Sequence, residues 1–168
     1  MGLACVMEDL VAPAVADALR EAFGRHRLLV IRGQSLSPAA HIAFTRQFGE
    51  PEVHVLNEYH KAEHPEIFEL SNIGPDGKPN AVHPDLGTLF WHSDGSFQKL
   101  PALATLLYAE QAPASGGHTL FADLIGAWEA LGAAERERFR TLRVLHDLHV
   151  SRLKAGYAGM TDAQRAAA

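Results

Sequence analysis

Apolar residues near the start of the chain first follow a helical and then an extended spacing. Over residues 11–23 they recur at four-residue steps, at Val11, Val15, Leu19 and Phe23. This spacing places them on one face and predicts an amphipathic helix, which we expect to end at Gly24. The short apolar run LLVI at residues 28–31 then predicts a buried strand.

The central part of the chain predicts one more helix, a hairpin and a long loop. Ser37 as an N-cap followed by Pro38 marks the start of the second helix, which we expect Gly49 to end. The segment IFELSN at residues 67–72 predicts a strand, and GPDGKP after it predicts a hairpin turn. The loop that follows, up to Leu86, is long enough to suggest a lid over a site.

Extended patterns are most frequent in the last part of the chain. Residues 102–111, 118–123 and 142–150 predict strands, and Asp123 predicts the cap of a helix that a second short helix follows. The pattern as a whole predicts an α+β fold in which two N-terminal helices pack on a β-rich body. We expect one domain over residues 1–168.

Composition and charge exclude several classes of protein. Fifteen Lys and Arg against twenty Asp and Glu give a net charge of −5, without the basic cluster that nucleic-acid binding requires. Cys5 is the single cysteine, so no internal disulfide can form. The N-terminus lacks a signal-peptide pattern, and no apolar stretch approaches the roughly 20 residues that span a bilayer. The sequence therefore predicts a cytoplasmic protein with neither nucleic acid nor membrane as a partner.

The stretch LFWHSDGSF at residues 89–97 carries candidate metal chemistry. It places His92 and Asp94 two positions apart, so on an extended segment both side chains face the same way. They could then bind one metal ion at about 2.1 Å. With a second histidine they would form the ligand set of non-haem Fe(II) oxygenases. The spacing by itself is a weak signal, and a strand end that carries two polar residues is the competing interpretation.

Three segments in the same order resemble the taurine dioxygenase and 2,4-dichlorophenoxyacetate dioxygenase family. They are LLVIRGQSLSPAAHIAFTRQFGEPEVH, WHSDGSF and ASGGHTLFADLIGAWEAL, and the resemblance covers about residues 13–150. Members of this family are Fe(II)- and 2-oxoglutarate-dependent oxygenases. The resemblance implies a double-stranded β-helix, or jelly-roll, core with flanking helices.

The same resemblance implies roles for individual residues. His92 and Asp94 match the first two iron ligands, and Thr119 matches the threonine that binds the distal carboxylate of 2-oxoglutarate. Three further positions are implied in substrate binding: His54, Thr88 and Gly95. The family's second iron histidine and its 2-oxoglutarate-binding arginine would both follow residue 168. The chain therefore resembles an incomplete core that lacks its C-terminal part, and we expect it to be inactive by itself.

The leading functional hypothesis is an oxygenase that uses Fe(II), 2-oxoglutarate and dioxygen. It would hydroxylate a small organic anion, such as taurine, an alkylsulfonate or an aryloxyalkanoate, and release succinate and CO₂. One alternative is a non-catalytic truncated relative or a small-acid binding module. Another is a metalloprotein that holds a different ion with two ligands. The sequence leaves the choice of substrate and the formation of a homo-oligomer open.

Overall fold

The computed structural model describes the backbone of residues 3–6 and the chain from residue 12 to residue 168. The chain forms two compact units. The first runs through Tyr108 and takes in Leu148–Ala168, and the second is Ala109–Asp147. Among the described residues, the structure contains no helix with the length and apolar character needed to cross a membrane. A single domain over the whole chain stays a prediction.

The N-terminal part forms a helix and a two-stranded parallel sheet. The elements are β1 at Leu3–Val6, α1 at Pro13–His26 and β2 at Leu29–Arg32, and β1 pairs with β2. The predicted helix and strand are confirmed, but β2 is not buried, because its residues alternate between partly buried and exposed, and Gly24 does not end α1. The helix continues until Arg27 adopts φ 62°, where its N–H bonds to the carbonyl of Phe23 at 2.7 Å. Val11 lies outside the described residues.

The second helix begins where the sequence predicts and ends early. It is α2 at Pro38–Thr45, and the Ser37 hydroxyl accepts the N–H of Ala40 at 3.2 Å. Turns replace the helix after Thr45, four residues before Gly49. The N-cap is thus confirmed, whereas the predicted end at Gly49 is wrong.

The core lies where these two helices meet β2. Leu19 of α1 and Phe44 of α2 are 3% and 6% exposed. Partly buried apolar residues surround this pair: Val15, Leu29, Ile31, Leu36, Phe48 and Leu106. Burial of each large side chain contributes about 2 kcal/mol, which fixes both helices against the strand.

The middle of the chain forms a short hairpin and two 3-10 helices. The elements are a 3-10 helix at Asn57–Tyr59, β3 at His60–Lys61, β4 at His64–Phe68 and a 3-10 helix at Leu86–Leu89. β3 and β4 pair antiparallel. The strand predicted at residues 67–72 corresponds to β4, which begins and ends earlier than expected. The turn in GPDGKP is confirmed, because Ile73 bridges Pro79 and the N–H of Gly74 bonds to Lys78 O at 2.8 Å.

The later part of the chain is helical where the structure assigns regular elements. These are α3 at Leu124–Ala130, α4 at Ala133–Arg140, α5 at Leu148–Lys154 and α6 at Asp162–Ala167. Asp123 accepts the N–H groups of Ile125 and Gly126, as its predicted capping role requires. The strands predicted at 102–111, 118–123 and 142–150 are not part of any hydrogen-bonded sheet in the described portion of the chain. Helix α5 replaces the end of the strand predicted at residues 142–150, since an isolated extended segment has no hydrogen-bonded partner strand to stabilise it.

The last residues belong to the first unit, and Arg152 of α5 connects them to it. Its Nη2 lies 3.1 Å from Oε1 of Glu58, and its Nε donates to the carbonyl of Ala158 at 3.2 Å. The guanidinium lies 5.3 Å from the ring centre of Tyr157, whose hydroxyl accepts the N–H of Leu86. Through these contacts the C-terminal residues hold two other segments. One contains Glu58, which follows His54, and the other contains Leu86, which precedes His92.

Candidate metal centre

His92 and Asp94 converge in the structure. The Nε2 atom of His92 lies 3.2 Å from Oδ1 of Asp94, and both side chains are about half exposed. The chain turns at Asp94, so the two residues do not lie along a regular strand as the sequence pattern predicted. Gly95 continues the turn.

Gly95 shapes the backbone directly after Asp94. Its φ is +64°, a left-handed conformation that L residues other than glycine rarely adopt. A Cβ at this position would also lie 3.3 Å from the backbone nitrogen of Ala102. The structure therefore explains this glycine by the turn that it makes, and its predicted place in a substrate pocket stays a prediction.

A backbone contact selects the tautomer of His92. Its Nδ1 lies 2.7 Å from the carbonyl oxygen of Phe90. A carbonyl oxygen can only accept, so Nδ1 must carry the proton. In the neutral ring Nε2 then has a free lone pair, and this is the nitrogen that faces Asp94. Histidines that bind metals are commonly oriented by such a hydrogen bond on the other ring nitrogen.

Asp94 is oriented in a similar way by Thr105. The Thr105 hydroxyl donates to Oδ2 of Asp94 at 2.7 Å, and Oδ1 is left facing His92. The sequence pattern did not single out Thr105. A usable signal was present, because Thr105 is the one hydroxyl-bearing aliphatic side chain in the apolar run ALATLLYA at residues 102–109.

The two facing atoms fit a divalent metal ion. Two ligands bound at right angles, each at about 2.1 Å, lie about 3.0 Å apart. The observed separation of 3.2 Å between Nε2 and Oδ1 is close to that value. Within the part of the chain that the structure describes, no group of three His, Cys, Asp or Glu side chains could hold a metal. His92 and Asp94 therefore stay two predicted ligands.

His54 lies beside this site and is neutral at pH 7. Its ring packs edge-on against Phe97 and Phe68, with centroid distances of 6.0 and 4.9 Å. Burial lowers its pKa below the ordinary value of 6.5, although the nearby carboxylates, Asp94 among them, oppose the shift. Nδ1 accepts the N–H of Leu56 at 3.2 Å, so the neutral ring carries its proton on Nε2. His54 can thus donate one hydrogen bond but holds no positive charge.

The lowered pKa of His54 predicts a loss of stability in acid. Between its folded pKa and 6.5 the unfolded chain binds more protons, so the free energy of unfolding falls as the pH falls through that window. We expect the difference in unfolding free energy between the wild-type chain and His54→Asn to shrink from pH 7 to pH 5. Urea unfolding at each pH measures it. A difference that grows in acid would contradict a lowered pKa of His54 in the folded chain.

The other two predicted residues, Thr88 and Thr119, lie in different compact units. Thr88 lies in the 3-10 helix at Leu86–Leu89, and its hydroxyl donates to the carbonyl of Asp85 at 2.7 Å. Thr119 lies in the second unit, where it is exposed. Their roles toward substrate and 2-oxoglutarate stay predictions.

The first unit also contains an open cavity of about 480 Å³, away from these ligands. It is lined by Glu58, Tyr59, His60, Lys61, Ala62, Glu69, Ser71 and Pro84. The Lys61 ammonium lies 2.8 Å from the Glu69 carboxylate, so both charges are already paired. None of the predicted site residues lines this cavity.

Known proteins resemble this chain over most of its length. Residues 7–166 match the family model described as taurine catabolism dioxygenase TauD, TfdA family. The alpha-ketoglutarate-dependent 2,4-dichlorophenoxyacetate dioxygenase of Cupriavidus pinatubonensis is 34% identical over 95% of this chain and 63% of its own length. Pentalenolactone F synthase of Streptomyces arenae is 36% identical over 79% of this chain and 44% of its own.

A solved structure shows the same relationship. AAD-2, crystallised in complex with Mn(II) and N-oxalylglycine, superposes with a TM-score of 0.69 at 27% identity. It covers 98% of this chain, which in turn covers 60% of AAD-2. The chain thus spans less than two thirds of the length of these relatives. A match to the family model over nearly all its residues shows that the chain belongs to the TauD/TfdA dioxygenase family.

Proposed function

We propose that this chain supplies two iron ligands and part of the substrate pocket of an Fe(II)- and 2-oxoglutarate-dependent dioxygenase. The observation that carries the proposal is the pair formed by His92 Nε2 and Asp94 Oδ1, 3.2 Å apart. The Phe90 carbonyl binds Nδ1 of His92, and the Thr105 hydroxyl binds Oδ2 of Asp94. The two other atoms, Nε2 and Oδ1, are therefore oriented toward the same place. When bound, the Fe(II) ion activates dioxygen to oxidise 2-oxoglutarate and a substrate C–H bond.

The residues of the chain would bind and orient the reactants. His92 and Asp94 would hold the metal, and Thr119 would donate to the distal carboxylate of 2-oxoglutarate. The Nε2–H of His54 would donate to the acidic group of the substrate. Because this ring is neutral at pH 7, it would recognise an anion through a hydrogen bond, not through a full ion pair. Thr88 and Gly95 would line the same pocket.

The proposed substrate is a small organic anion, released as its hydroxylated product together with succinate and CO₂. The relatives support this class. Two are named for 2,4-dichlorophenoxyacetate and (S)-phenoxypropionate, both aryloxyalkanoates, and each is named as dependent on alpha-ketoglutarate. We therefore favour an aryloxyalkanoate over taurine or another sulfonate.

We also propose that the extended segments take part in a jelly-roll core. Large apolar side chains in these segments are strongly exposed, each by more than 70%: Leu103, Leu107, Leu120, Val144 and Leu145. Such side chains are the kind that strand pairing and sheet packing bury. Pairing of these segments with partner strands would bury these side chains.

The test is succinate release by a full-length family enzyme that contains residues 1–168. With Fe(II), ascorbate and 2-oxoglutarate, we expect 2,4-dichlorophenoxyacetate or phenoxypropionate to stimulate succinate release. Their methyl esters should not, because the ester removes the anionic group. Residues 1–168 alone serve as the control and should give no steady release, because the described residues provide two metal ligands.

Equal stimulation by the acids and their methyl esters would contradict an anionic substrate. Steady decarboxylation by residues 1–168 alone would contradict the expected inactivity of the isolated chain, because it would show that the chain completes the metal site with a residue not assigned here.

A further inference from the structure

Thr105 lies on a segment whose side chains alternate between two faces. Ala104, Leu106 and Tyr108 are partly buried, whereas Leu103, Thr105 and Leu107 are exposed. The two leucines on the outer face are each 74% exposed. A threonine between them interrupts an otherwise apolar face, and its hydroxyl contacts the Asp94 carboxylate at 2.7 Å.

The segment that carries Thr105 is fixed to the core of the first unit. The side chain of Leu106 packs on the core pair, and its carbonyl oxygen lies 3.1 Å from Nε2 of His41 in α2. The Tyr108 hydroxyl accepts the N–H of Leu36 at 3.1 Å. The contacts of Leu106 and Tyr108, one and three residues after Thr105, therefore hold the backbone that carries the Thr105 hydroxyl.

We propose that Thr105 is a positioning residue for the metal site. It transmits the rigidity of the core to the Asp94 carboxylate, which lies in a turn and is half exposed. A side chain in such a place would otherwise exchange between rotamers, and ordering it on binding would cost conformational entropy. The hydrogen bond to Oδ2 selects the rotamer that directs Oδ1 toward His92 Nε2. The inference rests on the proposed function in so far as this pair is a metal site.

The hydrogen bond also determines how the carboxylate can bind. With Oδ2 accepting from the Thr105 hydroxyl, Oδ1 is the oxygen of Asp94 that faces His92 Nε2, which favours binding of a metal through this one oxygen. One-oxygen binding uses a single coordination position. Positions are then left for the co-substrate and dioxygen, which an oxygenase of this type has to accommodate.

The first experiment needs no metal and compares the wild-type chain with Thr105→Val and Thr105→Ser. Valine keeps the shape of threonine and removes the hydroxyl, whereas serine keeps a hydroxyl that can donate. Three-bond NMR couplings of Asp94 report its χ1 rotamer. We expect one dominant rotamer in the wild-type and serine chains and averaged couplings in the valine variant. The same couplings in all three chains would overturn the proposal.

The second experiment measures Mn(II) affinity by titration calorimetry for the same three chains, with Asp94→Asn as the reference for a lost ligand. We expect Thr105→Val to bind about 10-fold more weakly than wild type, as other outer hydrogen-bond partners of metal ligands do, and Thr105→Ser to recover most of the loss. Equal affinity of the wild-type and valine chains, both tighter than Asp94→Asn, would overturn the role of Thr105. If wild type binds no better than Asp94→Asn, the proposed metal site fails, and the rotamer measurement still decides the role of Thr105.

Discussion

Replacing His92 with alanine should lower the affinity of the chain for Mn(II) by at least about 100-fold, more than the loss of an outer hydrogen-bond partner. The reason is the ligand count, since His92 and Asp94 are the two predicted ligands, and this change removes one of them. It removes the better prepared of the two, because the Phe90 carbonyl already fixes the tautomer that leaves Nε2 free. Manganese serves as the probe because it does not react with dioxygen as Fe(II) does, and AAD-2 was crystallised with it.

The matched control is His26→Ala. His26 lies in the last turn of α1 and takes no part in the site, so its loss should leave Mn(II) affinity unchanged. Calorimetric titration of the three chains makes the comparison. Equal Mn(II) binding by wild type and His92→Ala would exclude His92 as a ligand, and equal losses in the two variants would indicate binding by scattered surface histidines.

The second large effect is expected on stability, from Arg152→Ala. The Arg152 side chain is 14% exposed, and its guanidinium pairs with Glu58, donates to Ala158 and lies over the Tyr157 ring. Removing it takes away the cation that pairs with Glu58, although Gln164 still donates to that carboxylate, and it removes the donor to the Ala158 carbonyl oxygen. Hydrogen bonds of charged groups of this kind contribute about 2 kcal/mol. In a chain of this length that loss should lower Tm by roughly 6 °C.

Arg25→Ala provides the control for this prediction. Arg25 pairs with Glu21 at 2.6 Å, but the two side chains are 68% and 74% exposed. An exposed pair within a helix contributes at most a few tenths of a kcal/mol, so Tm should change little. Thermal unfolding followed by circular dichroism measures both variants. Equal shifts for Arg152→Ala and Arg25→Ala would show that α5 is not held by the Arg152 contacts.

The elements predicted correctly depend on neighbours along the chain. Ser37 caps α2 through an N–H three residues ahead, and Asp123 caps α3 in the same way. The fourfold apolar spacing of α1 places Leu19 in the core, as the pattern predicts. Helix ends were predicted less well. Gly24 lowers helix stability by only about 1 kcal/mol, and contacts with the rest of the fold outweigh that cost.

The sequence by itself determined the family, through motifs whose residues follow one another closely. It also predicted His92 and Asp94 as a pair of metal ligands. Only the tertiary structure decided how that pair is held. The Thr105 hydroxyl reaches Asp94 from 11 residues away, His41 bonds to the carbonyl of a residue 65 positions later, and Arg152 bonds to Glu58 across 94. Strands depend on distant partners in the same way, so residues 102–111, predicted as a strand, alternate in burial over 103–108 and yet form no ladder within the described chain. A local pattern specifies which atoms a segment offers, but the free energy of a long-range contact exists only once the chain has folded and brought its two ends together.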